Sequence, residues 1–101
     1  MTLTAAPHEQ NLSNAEFCLH QNDPNPFSGV TKIKLRLPIE SKVTVLITNS
    51  HGKVIDKLIS NKLCPGIYEI EFYTEGLIRG TYFYHMVADN YSETKAMELT
   101  R

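Results

Sequence analysis

The sequence predicts an all-β protein, an antiparallel sandwich of about seven strands. Three observations carry this reading. Short segments alternate apolar and polar residues, clusters of turn formers separate them at roughly 8–12-residue spacing, and no segment shows a 3.6-residue apolar period. Strands that follow one another through tight loops pair antiparallel.

Residues Met1 to Glu16 are polar and lack periodicity, so 1–16 is expected to be a flexible linker or tail and 17–101 the folded domain. Phe17-Cys18-Leu19-His20 is a short alternating piece. Gln21 to Gly29 is dense in turn formers, and Pro24 and Pro26 push Asp23 and Asn25 towards extended geometry. Phe27 is the large apolar group of this loop and should anchor it to the core. Thr31 to Leu37 puts Ile33, Leu35 and Leu37 on one face and Lys32, Lys34 and Arg36 on the other, a half-buried strand ended by Pro38. Lys42 to Thr48 turns Val43, Val45 and Ile47 inward. Asn49 to Lys53 is a hairpin loop with Gly52 placed for a left-handed position. Val54 to Ser60 is the return strand, and Asn61 to Gly66 a second turn cluster.

Ile67 to Tyr73 alternates again, with Tyr68, Ile70 and Phe72 opposed to Glu69 and Glu71. Thr74 to Gly80 forms a corner in which Leu77 can plug the end of the sandwich. Gly80 accepts positive φ at no steric cost, and Tyr82, two residues on, can bury its ring and tie its hydroxyl to nearby backbone. Thr81 to Ala88 is the central strand, with Tyr82, Tyr84 and Met86 inward and Phe83, His85 and Val87 outward. Asp89 to Glu93 turns the chain, and Thr94 to Thr100 closes it with Met97 and Leu99 inward.

Composition excludes several function classes. A hydrophobic content of 42% with 21% charged residues is ordinary for a globular chain and argues against disorder. A net charge of −1, with lysines spread singly, argues against a nucleic-acid partner. No apolar run reaches the ~18–20 residues of a membrane span. Met1 to Leu12 lacks the features of a secretory signal peptide, so the polypeptide alone is expected to stay cytoplasmic. Cys18 and Cys64 are too few for a disulfide framework and too far apart for a Cys-x-x-Cys site. They read as two separate small hydrophobes, with a bridge from the first strand to a later loop as the alternative.

No catalytic, cofactor or metal site emerges. His8, His20, His51 and His85 show no metal spacing. Asp23 with Asn22 and Asn25 offers one carboxylate, a poor hard-cation site, so these residues read as loop stabilisers. Glu69 and Glu71 lie ~7 Å apart on one strand face, a separation glycosidases use, yet on a flat solvated strand they read as surface charge. The serines sit in ordinary turns, and nothing suggests a lowered pKa at Cys64. Phe83 and Val87 on an outer face form either a contact patch or a surface covered by the N-terminal segment.

Several segments carry a family resemblance. These are Leu19-His20-Gln21-Asn22-Asp23-Pro24-Asn25-Pro26-Phe27, Asn49-Ser50-His51-Gly52-Lys53, Pro65-Gly66-Ile67-Tyr68, Gly76-Leu77-Ile78-Arg79-Gly80-Thr81-Tyr82, and Thr94-Lys95-Ala96-Met97-Glu98-Leu99-Thr100-Arg101. In this order they resemble the C-terminal sorting domain of cargo exported by the type IX secretion system of Bacteroidota. The resemblance implies an immunoglobulin-like sandwich, no enzyme activity, and a secretion label on a larger secreted or surface protein. An outer-membrane translocon would read the folded domain and its final strand, and a surface sortase would then remove the label. It implies Lys95, Met97, Leu99 and Arg101 as recognition residues, with Asn25, Pro26, Phe27, Gly52, Gly66, Gly80 and Tyr82 defining the fold. Glu98 is charged where the family usually has a neutral residue. The alternative function is a structural or adhesive immunoglobulin-like module that self-associates through the face carrying Phe83 and Val87.

Overall fold

The computed structural model describes the backbone of Thr2–Ala6 and residues 16–100. His8 and Arg101 lie outside the described residues. Among those described, eight strands follow in order: β1 (Thr2–Ala6), β2 (Cys18–Leu19), β3 (Val30–Leu37), β4 (Ser41–Asn49), β5 (Val54–Leu63), β6 (Gly66–Tyr73), β7 (Gly80–Ala88) and β8 (Tyr91–Leu99). They form two four-stranded sheets, β1-β6-β3-β2 and β5-β4-β7-β8. Every pairing between strands is antiparallel.

Alternation places the core. In β3, Ile33, Leu35 and Leu37 are fully buried while Lys32 and Lys34 point to solvent. They face Val43, Val45 and Ile47 of β4 and Tyr84 and Met86 of β7 within one apolar cluster. Each such aliphatic side chain contributes about 1.5–3 kcal/mol by leaving water. On the outer face of the first sheet, Lys32 stands opposite Glu71 and Lys34 opposite Glu69. Opposite charges in register suit an exposed strand pair, so the two glutamates complement lysines.

Three boundaries depart from the sequence expectation. Thr2–Ala6, expected in a linker or tail, pairs residue for residue with Ala6↔Ile67 through Thr2↔Glu71 as an edge strand of the first sheet. That edge belongs to the sheet opposite Phe83 and Val87, and Val87 remains 48% exposed. β5 runs on to Leu63, which shortens the following turn to Cys64 and Pro65. β8 begins at Tyr91, because Asp89 takes positive φ (53°) and closes a tight hairpin with Asn90. A short polar side chain tolerates that conformation better than most.

β5 also breaks simple alternation. Register shifts between Val45 and Leu46 and between Ile47 and Thr48 mark bulges, and Leu58 and Ile59 are both buried. An extra residue in one strand turns consecutive side chains to the same side. Gly52 sits at φ 84° in the β4–β5 hairpin, where the Asn49 side-chain oxygen accepts the His51 and Lys53 amides at 2.9 and 3.0 Å.

The corner ahead of β7 forms as expected. Gly80 has φ 147°, and the Tyr82 hydroxyl donates to the Ile78 carbonyl at 2.6 Å. Space for a Cβ exists at Gly80, so the backbone conformation is what favours glycine there. Gly66 is the buried first residue of β6. Cys18 and Cys64 are both free, Cys18 half-buried and Cys64 exposed. Among the described residues, no helix is long and apolar enough to cross a membrane.

Candidate functional site

β8 is an edge strand of the second sheet, and its two faces differ completely. Its inner face carries Tyr91, Glu93, Lys95, Met97 and Leu99; its outer face carries Ser92, Thr94, Ala96 and Glu98. Met97 and Leu99 are each 1% exposed and belong to the core. Lys95 is half-buried, its ammonium 3.1 Å from Glu93. The Tyr91 hydroxyl donates to the Glu93 carboxylate. That bond first, and the Lys95 ammonium second, hold the Glu93 carboxyl below its usual range. Burial, then the same bond to Glu93, pushes the Tyr91 phenol up. Phe17 stacks on Tyr91 with ring centroids 5.4 Å apart.

Of the sequence-derived recognition residues, Lys95 is therefore reachable from solvent, and Met97 and Leu99 are packed inward. Arg101 lies outside the described residues. Around β8, the Thr81 hydroxyl donates to the Glu98 carboxylate at 2.8 Å. The ring nitrogens of His85 lie 2.8 Å from the hydroxyls of Thr48 and Thr94, forming a polar line across the outer face. Arg79, Gly80, Glu98, Leu99 and Thr100 line an open concavity of about 410 Å³ at the end of the strand.

The outer edge of β8 is where the sequence reading fell short. The Gln21–Phe27 loop reaches across from the opposite sheet and bonds to it. Gln21 Nε2 donates to the Ala96 carbonyl at 2.7 Å, and the Glu98 amide donates to Asn25 Oδ1 at 2.9 Å. Phe27 exchanges backbone bonds with the strand: its amide reaches the Glu98 carbonyl at 3.0 Å, and its carbonyl accepts the Thr100 amide at 2.7 Å. The Phe27 ring is buried beside these bonds. The partners lie more than seventy residues apart, so only Phe27, a large apolar residue in a polar loop, hinted at docking.

The loop is itself pinned to β3. Asp23 and Lys32 exchange two backbone bonds of 3.0 Å. Buried Asn22 donates to the Pro24 carbonyl and to the Thr31 hydroxyl, each at 3.0 Å. Asn22 thus spends its donors on tying the loop to itself and to β3, and Asp23, Asn25 and Pro26 remain exposed. Both Asp23–Pro24 and Asn25–Pro26 peptide bonds are cis. On the core side, the Tyr84 hydroxyl crosses between sheets to the His20 carbonyl at 2.7 Å, and burial pushes that phenol up to about 12.

Among the described residues, no cluster of three or more His, Cys, Asp or Glu could hold a metal ion. The strand order defines an immunoglobulin-like antiparallel sandwich. The model of the secretion system C-terminal sorting domain family matches residues 24–98, and the chain belongs to that family. The match takes in most of the loop and nearly all of β8. No curated protein matches the chain. Membership makes the domain a C-terminal sorting signal for type IX secretion, a signal module from a family that is not catalytic. Such a signal implies export to the cell surface, or secretion, as part of a larger protein.

Proposed function

We propose that residues 17–101 form the unit that the outer-membrane translocon of the type IX system reads, and that β8 with its C-terminal extension is the part it reads. Lys95 and Arg101 make direct contact. Met97 and Leu99 act from beneath, by fixing the height and register of the strand in the core. A surface sortase acts afterwards on the exported protein. The observation that carries this reading is the family match over 24–98, which ends on the strand whose residues are placed here.

The experiment fuses the full 101-residue chain behind a periplasm-directed fluorescent reporter in a type IX-competent host. The fusion should reach the cell surface or the medium. Removing residues 95–101 should hold it in the periplasm. A reporter that stays periplasmic with the intact chain, or leaves without residues 95–101, overturns the reading.

A further inference from the structure

An edge strand normally displays a row of unpaired amides and carbonyls to which another strand can add. On β8 the groups facing away from β7 are those of Ser92, Thr94, Ala96 and Glu98, continued by Thr100, because bonding direction alternates along an antiparallel pair. The Gln21–Phe27 loop already occupies the C-terminal half of this row, at the Ala96 carbonyl, the Glu98 amide and carbonyl, and the Thr100 amide. The loop is in turn anchored on the other sheet, through Asp23 and Lys32 and through buried Asn22.

We infer that the Gln21–Phe27 loop is a clasp that closes the C-terminal half of the last strand's edge, so that this part of the sorting signal is read as side chains on a strand held from both sides and not by strand addition. This rests on the reading of β8 as the recognised element. Gln21 and Asn25 are its positioning residues. Both side chains are exposed and each gives one bond to the strand edge. The outer face left for a protein partner carries Thr94, Ala96 and Glu98, with Thr81 holding Glu98 in place, and Lys95 reaches solvent from the inner side of the same strand. The clasp also explains how a C-terminal strand can report a folded domain. Its edge is complete only when a loop from the start of the domain has docked on it.

The test uses Q21A, N25A and their combination in the full chain, with N25D as the conservative variant that keeps an acceptor oxygen. Amide exchange is followed at Glu98, with β7 amides as internal reference, and export is followed with the same reporter fusion. N25A should speed Glu98 exchange about five- to tenfold, the loss of one hydrogen bond, while β7 exchange holds. Export should fall for N25A, fall further for the double variant, and recover with N25D. Unchanged Glu98 exchange in N25A overturns the clasp. Faster exchange with undiminished or increased export overturns closed-edge recognition, because an open edge then serves as well or better. Should the chain lacking residues 95–101 still be exported, the reading of β8 as the signal fails. The exchange data then decide the clasp separately.

Discussion

Strands β5 and β8 are the two edges of one sheet, and they meet solvent by different means. β5 is long, carries register shifts against β4, and points Asp56, Lys57 and Lys62 outward. Among the described residues no strand pairs beyond it. Bulges and charge make such an edge unattractive without covering it. β8 pairs with β7 in continuous register and is covered over its last residues by a loop from the other sheet. The difference separates two requirements. One edge needs only to avoid partners, whereas the other is held in a single geometry, as the proposed reading of β8 by secretion machinery requires.

The largest expected effect comes from removing the clasp's anchor. Phe27→Ala deletes a ring that is 3% exposed and should cost about 3–5 kcal/mol in a denaturant titration. Exchange should rise first at Glu98 and Thr100 and leave β5 near its own baseline. Equal rises along both edges would erase the distinction drawn between them.

Alkaline pH probes the tie between sheets that lies beneath β8. Tyr84 ionises at about 12 in the folded chain against an ordinary value of 10.0, because burial disfavours the phenolate. A raised folded pKa means that its contribution is full below about pH 10 and is lost as pH climbs towards about 12. Denaturation midpoints should therefore fall between those values, and fall less in Tyr84→Phe, which has no hydroxyl to ionise. Parallel pH profiles for the two proteins would remove Tyr84 from this role.

The corner before β7 sets where that strand starts and hence the register of β8, Gly80 standing opposite Leu99. Tyr82→Phe removes the 2.6 Å bond to Ile78 and should cost about 0.5–1.5 kcal/mol, measured as a midpoint shift at constant slope. Smallest in stability is the control on β5. Lys57→Ile with Lys62→Ile should change stability by no more than about 0.5 kcal/mol per site, since both side chains are exposed. The same pair should promote concentration-dependent association in light scattering, because the edge loses its charges. A monomer at all concentrations would show that the bulges alone protect β5.

Much of the fold was legible in the residues, for local reasons. β3 and β7 alternate throughout, and β4 and β6 over much of their length, because one face of each is buried, and a one-residue slip would turn Ile33 or Val45 to water. Gly80 and Tyr82 announced their corner through backbone freedom and spacing. What stayed hidden was nonlocal or broke the period. Thr2–Ala6 alternates over only four residues, Thr2 to Ala5, too short a run to mark a strand by itself, and its pairing depends on the free edge of β6. Leu58 and Ile59 look like a lapse in period until the bulge places them. The placement of the proposed recognition residues was half legible. Alternation puts Met97 and Leu99 inward, but nothing in Gln21 or Asn25 reveals that their side chains close an edge more than seventy residues further along the chain.

The most direct test of the central claim is export of a periplasm-directed reporter carrying the full chain, measured beside the same fusion lacking residues 95–101. The account predicts reporter at the surface or in the medium for the first and in the periplasm for the second. Equal export of both fusions, or periplasmic retention of both, would contradict it.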